Sequence, residues 1–172
     1  MNHIMFDLET MGNSSDAAIV AIGAVKFNTK NISEFYTVVD LQSSIDYGLT
    51  VTASTIMWWL EQSDEARGAL KDTPISLMAA LECLGRFVSK DDLVWGNGAT
   101  FDNVIITNAY KACHTVRPWG FRNDRCFRTV KSLYPSLDIP DTETSHNALE
   151  DARWQAEYLM QLFKREGITY AG

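Results

Sequence analysis

The stretch His3-Ile4-Met5-Phe6-Asp7-Leu8-Glu9 near the start of the chain, read together with Ala18–Phe27 (AIVAIGAVKF), decides the fold. In the first stretch Ile4, Phe6 and Leu8 fall on one face and Met5, Asp7 and Glu9 on the other, the period-two pattern of a strand. The second is apolar on both faces, as a buried central strand is. Asn28-Thr29-Lys30-Asn31 then supplies a turn and Glu34–Val39 returns, so the opening of the chain reads as a three-strand antiparallel meander.

Past Val39 the apolar period lengthens to 3.6. Ser54 caps a short helix through Leu60, and Ser63 with Asp64 and Glu65 starts another. Thr73-Pro74 is a third start, and the stripe Leu77, Leu81, Leu84, Val88 carries that helix. Asp92–Trp95 reads as a short strand and Gly96–Thr100 (GNGAT) as a turn. Phe101–Cys113 reads as a helix with Phe101, Val104, Ile105, Ala109 and Ala112 inward. Asp124–Tyr134 and His146–Arg165 complete the set as helices. A meander followed by helix–strand–helix units predicts an α/β architecture, a mixed sheet covered by helices.

Length and composition set bounds. A chain of 172 residues with 46% hydrophobic and 22% charged residues fits one domain with a substantial core. No apolar run is long enough for a membrane span. The N-terminus lacks a basic region and meets Asp7 early, unlike a secretory signal. Cys83, Cys113 and Cys126 are widely spaced with no C-x-x-C pair, which points to free thiols in a reducing cytoplasm and away from a zinc site.

Asp7 and Glu9 leave the same strand face about 7 Å apart. An amphipathic strand with its acids in water is one reading. Against it, a strand beside a fully apolar neighbour is central, and acids converging on a covered face repel one another unless a cation lies between them. Asp151 points toward the inward stripe of the final helix (Ala148, Ala152, Gln155, Leu159, Leu162), whereas Glu150 aligns with a more polar face. A core-facing carboxylate costs several kcal/mol unless paired or coordinated. Asp102 follows the GNGAT turn; alone it is an ordinary acid of a helix first turn, but a βα turn at a strand's carboxyl end is where open α/β sheets build sites. His146 lies at the entry to the final helix, where it is either structural or a base of near-neutral pKa beside the acids.

Taken in order, Asp7-x-Glu9-Thr10, Phe101-Asp102 and His146-x-Ala148-x-x-Asp151-Ala152 resemble the three motifs of the DEDDh (DnaQ-like) 3′–5′ exonuclease superfamily, to which polymerase proofreading subunits, ribonuclease T and oligoribonuclease belong. Each motif is short; the three together span nearly the whole chain in the right order. Thr55-Ile56-x-Trp58-Trp59 and Trp95-Gly96-Asn97-Gly98-x-x-Phe101-Asp102-Asn103 are most similar to the compact phage, prophage and mycobacterial exoribonuclease-like branch. One position departs from the family's pattern and another sets the subclass. Many relatives carry asparagine four before the second-motif aspartate, where this chain has Gly98, with Asn97 one earlier. The tyrosine subclass carries Tyr four before the last aspartate, where this chain has Asn147, so the histidine subclass fits.

The resemblance implies a ribonuclease-H-like fold over residues 1–172 as a single exonuclease domain. Its mixed five-stranded sheet would join an antiparallel meander to parallel strands. It also implies two divalent cations, Mg²⁺ or Mn²⁺, held by Asp7, Glu9, Asp102 and Asp151, with His146 activating water. The substrate would be a single-stranded or frayed 3′ end of RNA or DNA, and the products nucleoside 5′-monophosphates; a homodimer is left open. Thr10, Met11 and Phe101 are implied as substrate contacts, with plain packing the alternative for Met11. Ile56, Trp59 and Leu60 share a helix face, which makes Trp59 a core residue. Trp58 lies off that face, where stacking on a base, worth about 1–3 kcal/mol, competes with packing. Arg117, Arg122, Arg125, Arg128 and Lys131 form a basic cluster that either tracks phosphates or is simply solvated.

The net charge of −7 opposes broad duplex binding, but the four proposed metal ligands account for four of those charges. Two other readings stand beside this one. A haloacid-dehalogenase-like phosphatase would use Asp7 as nucleophile, but Thr10 falls one position early and His146 and Asp151 go unexplained. A non-catalytic module for nucleic-acid ends or a protein partner would have no need of all five residues.

Overall fold

The computed structural model describes residues 2–98, 100–134, 137 and 146–168, which leaves Ala99 of the expected GNGAT turn outside. Among these, five strands form one sheet: β1 (His3–Thr10), β2 (Ile19–Phe27), β3 (Ile32–Val38), β4 (Leu93–Gly96) and β5 (Asp124–Cys126), in the order β3-β2-β1-β4-β5. β1–β2 and β2–β3 pair antiparallel, and β1–β4 and β4–β5 pair parallel. This is the mixed ribonuclease-H-like sheet expected from the sequence, with β1 at its centre.

The alternation within β1 separates two cores. Ile4, Phe6 and Leu8 pack on one face with Leu77, Leu81, Leu84, Ile105 and Ile106. Met5 packs on the other with Val25, Phe27, Trp95, Phe127, Leu159 and Leu162. Asp7 and Glu9 share the Met5 face, so the carboxylates lie on the side covered by the C-terminal helix.

The helices are α1 (Leu41–Asp46), α2 (Ala53–Glu61), α3 (Asp64–Ala69), α4 (Leu77–Phe87), α5 (Asp102–Ala112), α6 (Phe127–Leu133) and α7 (Ala148–Arg165). Ser63 caps α3 as expected, accepting from the Ala66 amide. Several boundaries move for local reasons. α2 begins after Thr52, not Ser54. α4 begins after Ser76, whose hydroxyl caps it, and not at Thr73-Pro74. There the chain is not yet helical: Thr73 is in a left-handed conformation, φ 46°, and Ile75 bridges to Val39. α1 escapes a periodicity search because it is a single short element, nucleated by the Asp40 side chain on the Ser43 amide. The expected helix at Asp124–Tyr134 is a short edge strand followed by α6, since pairing with β4 claims Asp124–Cys126. In α5 the inward face carries Asp102, Ile106 and Tyr110 along with Ile105 and Ala109, while Val104 turns partly outward.

Remote pairs fasten the layers. Lys26 on β2 meets the buried Asp92 carboxylate at 2.8 Å, and Asp92 also accepts from the Ser89 amide and the Asn2 side chain. His3 is buried between Phe27 and Trp95 and accepts from Trp95 Nε1 at 3.0 Å. Burial lowers its pKa to about 4, aided by the nearby N-terminal and Arg125 charges. Cys83, Cys113 and Cys126 are free thiols, and no helix among the described residues is long and apolar enough to cross a membrane.

Candidate active site

A row across the sheet builds the site: Asp7 pairs with Gly23 on β2, and Gly23 with Tyr36 on β3. A Cβ on Gly23 would lie 2.2 Å from the Ala148 carbonyl carbon and oxygen and 2.4 Å from the Leu149 nitrogen. The missing side chain thus lets the first turn of α7 rest directly on the sheet. Asn147 caps that turn, its side-chain oxygen accepting from the Leu149 and Glu150 amides. One turn of helix then delivers Asp151 to the edge of β1. Carboxylate oxygens of Asp7, Glu9 and Asp151 all lie within 4.8 Å of one another.

Asp102 joins from the far end of β4. Its carboxylate is buried and accepts from the Asn97 amide at 2.7 Å, with further backbone hydrogen bonds from its own turn and from Leu8. Asp102 is therefore clamped between β4 and β1, set back from the three-acid cluster. Gly96 makes room for it: a Cβ there would stand 2.8 Å from Asn103 Oδ1 and 2.9 Å from Asp102 Cβ.

The electrostatics are those of acids forced together. Burial, followed by the charges of Asp102, Glu9 and Asp151, raises the Asp7 carboxyl well above its ordinary range. Burial and the same neighbours push Glu9 to about 8. Burial raises Asp102 to about 6 against the pull of its backbone donors and of Arg128. Asp151 is also raised, chiefly by burial, with the His146 charge acting the other way. A polycarboxylate cluster of this kind is disfavoured in the absence of positive charge, and three oxygen ligands at this spacing suit a hard divalent cation. Gln155 adds to the fit. Its Nε2 donates to Asp7 Oδ1 at 2.9 Å, fixing the carboxylate, while its buried Oε1 has no hydrogen-bond partner among the described residues.

His146 enters α7 in a left-handed backbone conformation, φ 48°. Its ring meets Trp58 edge-on, centroids 4.8 Å apart, and lies 6.3 Å from the Trp59 ring. Trp58, for which stacking on a base and packing were both open, is half-exposed and already in contact with the imidazole. Trp59 is buried as expected, and its Nε1 donates to the Thr10 carbonyl at 3.0 Å. The face it was expected to share does not form a core: Ile56 and Leu60 are exposed, and with Met11 and Trp59 they line an open apolar cavity beside α3. The Thr10 hydroxyl donates to the Gly12 carbonyl at 2.6 Å, at the bulge where β1 leaves the sheet. Met11 and Phe101 pack partly buried against the first core.

Three contributors lay outside the motif reading. Gln155 lies four residues beyond Asp151 on the same helical face, which was signal enough to expect it beside Asp7. Gly23 interrupts an otherwise apolar strand, the usual mark of a close backbone approach. Arg128, from the basic cluster, acts on Asp102, and its guanidinium carbon lies 3.9 Å from where a Gly98 Cβ would stand.

No curated protein matches the chain. Residues 2–163 match the family model described as the 3′–5′ exoribonuclease Rv2179c-like domain. That match runs from β1 into the last turns of α7 and so takes in every strand and helix that contributes a carboxylate to the cluster. The chain therefore belongs to this 3′–5′ exoribonuclease family.

Proposed function

We propose that the chain is a single DEDDh-type exonuclease domain that removes nucleotides one at a time from the 3′ end of single-stranded RNA or DNA and releases nucleoside 5′-monophosphates. The observation that carries this reading is the convergence of Asp7, Glu9 and Asp151, from opposite ends of the chain, within 4.8 Å. Asp7, Glu9 and Asp151 would hold one divalent cation, Mg²⁺ or Mn²⁺, and Asp7 with Asp102 a second. When bound, the pair supplies positive charge against the scissile phosphate and the leaving 3′-oxygen.

The chain's own groups do the rest. Gln155 keeps Asp7 turned toward its neighbours. Asp102, held by the Asn97 amide, adds negative charge from the strand end. His146, beside Asp151 and braced by the Trp58 edge, takes the proton from the attacking water. Thr10, Met11 and Phe101 border the place where the terminal nucleotide would lie. The phosphatase alternative gains nothing from this geometry, since Asp151 stands beside Asp7, and His146 beside Asp151, with no part in a phosphoaspartate reaction.

The test is digestion of 3′- and 5′-labelled single-stranded RNA and DNA with and without Mn²⁺. Stepwise shortening from the 3′ end that needs the metal is expected. His146→Ala should lose about 10²–10⁴-fold in rate with its circular dichroism spectrum unchanged. Hydrolysis of small phosphate esters without shortening of either polymer, or no activity with either Mg²⁺ or Mn²⁺, overturns the reading.

A further inference from the structure

In a chain of net charge −7, one cleft concentrates positive charge. It opens between α5 and β5, encloses about 410 Å³, and, among the described residues, sets Lys111, Arg117 and Arg125 against a single carboxylate, Asp124. That carboxylate is already occupied. It accepts from Arg117 at 3.0 Å and from Trp119 Nε1 at 2.8 Å, so Arg117 and Asp124 neutralise each other within the protein. Among the described residues, no carboxylate pairs with Lys111 or Arg125. Lys111 is exposed and makes a long 3.4 Å contact with Asn108 Oδ1. Arg125 uses its Nη1 on the carbonyls of Arg122 and Asp124, which anchors the side chain without cancelling its charge.

The inner end of the cleft adjoins the segment that holds Asp102: Gly98 and Asn103 line it, Asn103 follows Asp102 in the chain, and Gly98 follows Asn97, whose amide donates to the Asp102 carboxylate. Gly98 also adjoins the Arg128 guanidinium. Positive charge therefore continues outward from the acids, from Arg128 to Arg125 and Lys111. Among the described residues no aromatic side chain lines the cleft, so it offers cations and amides but no platform for a base.

We propose that this cleft seats a backbone phosphate of the bound strand on the 5′ side of the bond being cut, so that the protein grips a polynucleotide away from its reactive end. The proposal rests on the nuclease reading above. Because the contact is to phosphate, it adds affinity and orientation without base preference.

The experiment is equilibrium binding, by fluorescence anisotropy in Ca²⁺, of single-stranded RNA from dinucleotide to dodecamer length. Wild-type affinity should rise with length. Lys111→Ala and Arg125→Ala should each weaken the longest oligonucleotide about tenfold, as loss of a charge-assisted hydrogen bond does. Each should also lower the slope of log affinity against log salt by about 0.7. Lys30→Ala, which removes the same charge from the β2–β3 turn, should change neither. Wild-type affinity that does not rise with length, or cleft variants indistinguishable from Lys30→Ala, overturns the proposal. The exposed Lys111 keeps the test decisive should Arg125→Ala fold poorly. Metal-dependent release of mononucleotides from the same oligonucleotides by the wild type judges the nuclease reading separately.

Discussion

Asp151→Asn should stabilise the metal-free protein while abolishing its response to metal. With carboxylate oxygens within 4.8 Å, two full charges repel by about 3.5 kcal/mol at an effective dielectric of about 20. The cluster relieves part of this by holding protons, as Glu9 at about 8 shows. The recoverable gain on removing the Asp151 charge at pH 8.5 is therefore about 1–2 kcal/mol, or about 2–8 °C in Tm for a chain of this size.

The pH dependence has a definite sign. Folded-state pKa values of Asp7, Glu9, Asp102 and Asp151 are raised, so between the unfolded carboxylate range and the folded values the native state binds more protons than the unfolded chain. Stability of the metal-free wild type thus climbs as pH falls through about 8, and the advantage of Asp151→Asn shrinks toward pH 6.5. Below pH 6.5 His3, buried neutral with its pKa lowered to about 4, acts the other way: the unfolded chain takes its proton first and stability is lost. Thermal melts in EDTA and in Mn²⁺ at pH 6.5 and 8.5 test this. Saturating Mn²⁺, at about 100 times its Kd, should add about 2.7 kcal/mol to the wild type and little to the variant. An Asp151→Asn protein that melts at or below the wild type in EDTA at pH 8.5 would refute the mutual repulsion of these acids.

Gln155→Leu removes the donor to Asp7 together with an unpartnered buried oxygen; chemical denaturation should show stability held or improved, while exonuclease rate or metal affinity falls about 10–100-fold. Gly23→Ala forces a methyl group into the backbone at the start of α7 and should cost about 3 kcal/mol; the Mn²⁺-induced rise in Tm should shrink with it as Asp151 is pushed off β1. Lys26→Met strands the buried Asp92 carboxylate and should cost about 3 kcal/mol in urea unfolding, with an unaltered Mn²⁺ response because the pair is remote from the acids.

What the sequence displayed, and what it concealed, follows from how locally each feature is encoded. β1 and β2 were legible because their side-chain pattern is a direct image of two covered faces, and the same alternation put Asp7 and Glu9 on the face of Met5. α7 was legible as a helix, and Asp151 as inward, because eighteen residues give the 3.6 period room to show. β5 was not: three residues carry no measurable period, and Asp124–Cys126 extends only because β4 offers an edge. The start of α4 was misplaced for a related reason, since Thr73-Pro74 is a strong local cap signal overruled by the bridge between Ile75 and Val39. The face shared by Ile56, Trp59 and Leu60 misled because helical spacing tells which residues lie together but not whether anything covers them.

The site divides along the same line. Which residue types matter is written in short motifs, but their meeting depends on Gly23, a position whose contribution is the absence of a side chain. With any Cβ there, α7 would have to stand off from β2, and Asp151 would retreat from Asp7 and Glu9 even though every motif letter remained in place. The close contact that brings the acids together is also what makes them repel. On the proposed reading, stability and cation binding are set against each other by one backbone contact, and that is why variants at Gly23 and Asp151 should change the metal-free Tm in opposite directions while both suppress the response to Mn²⁺.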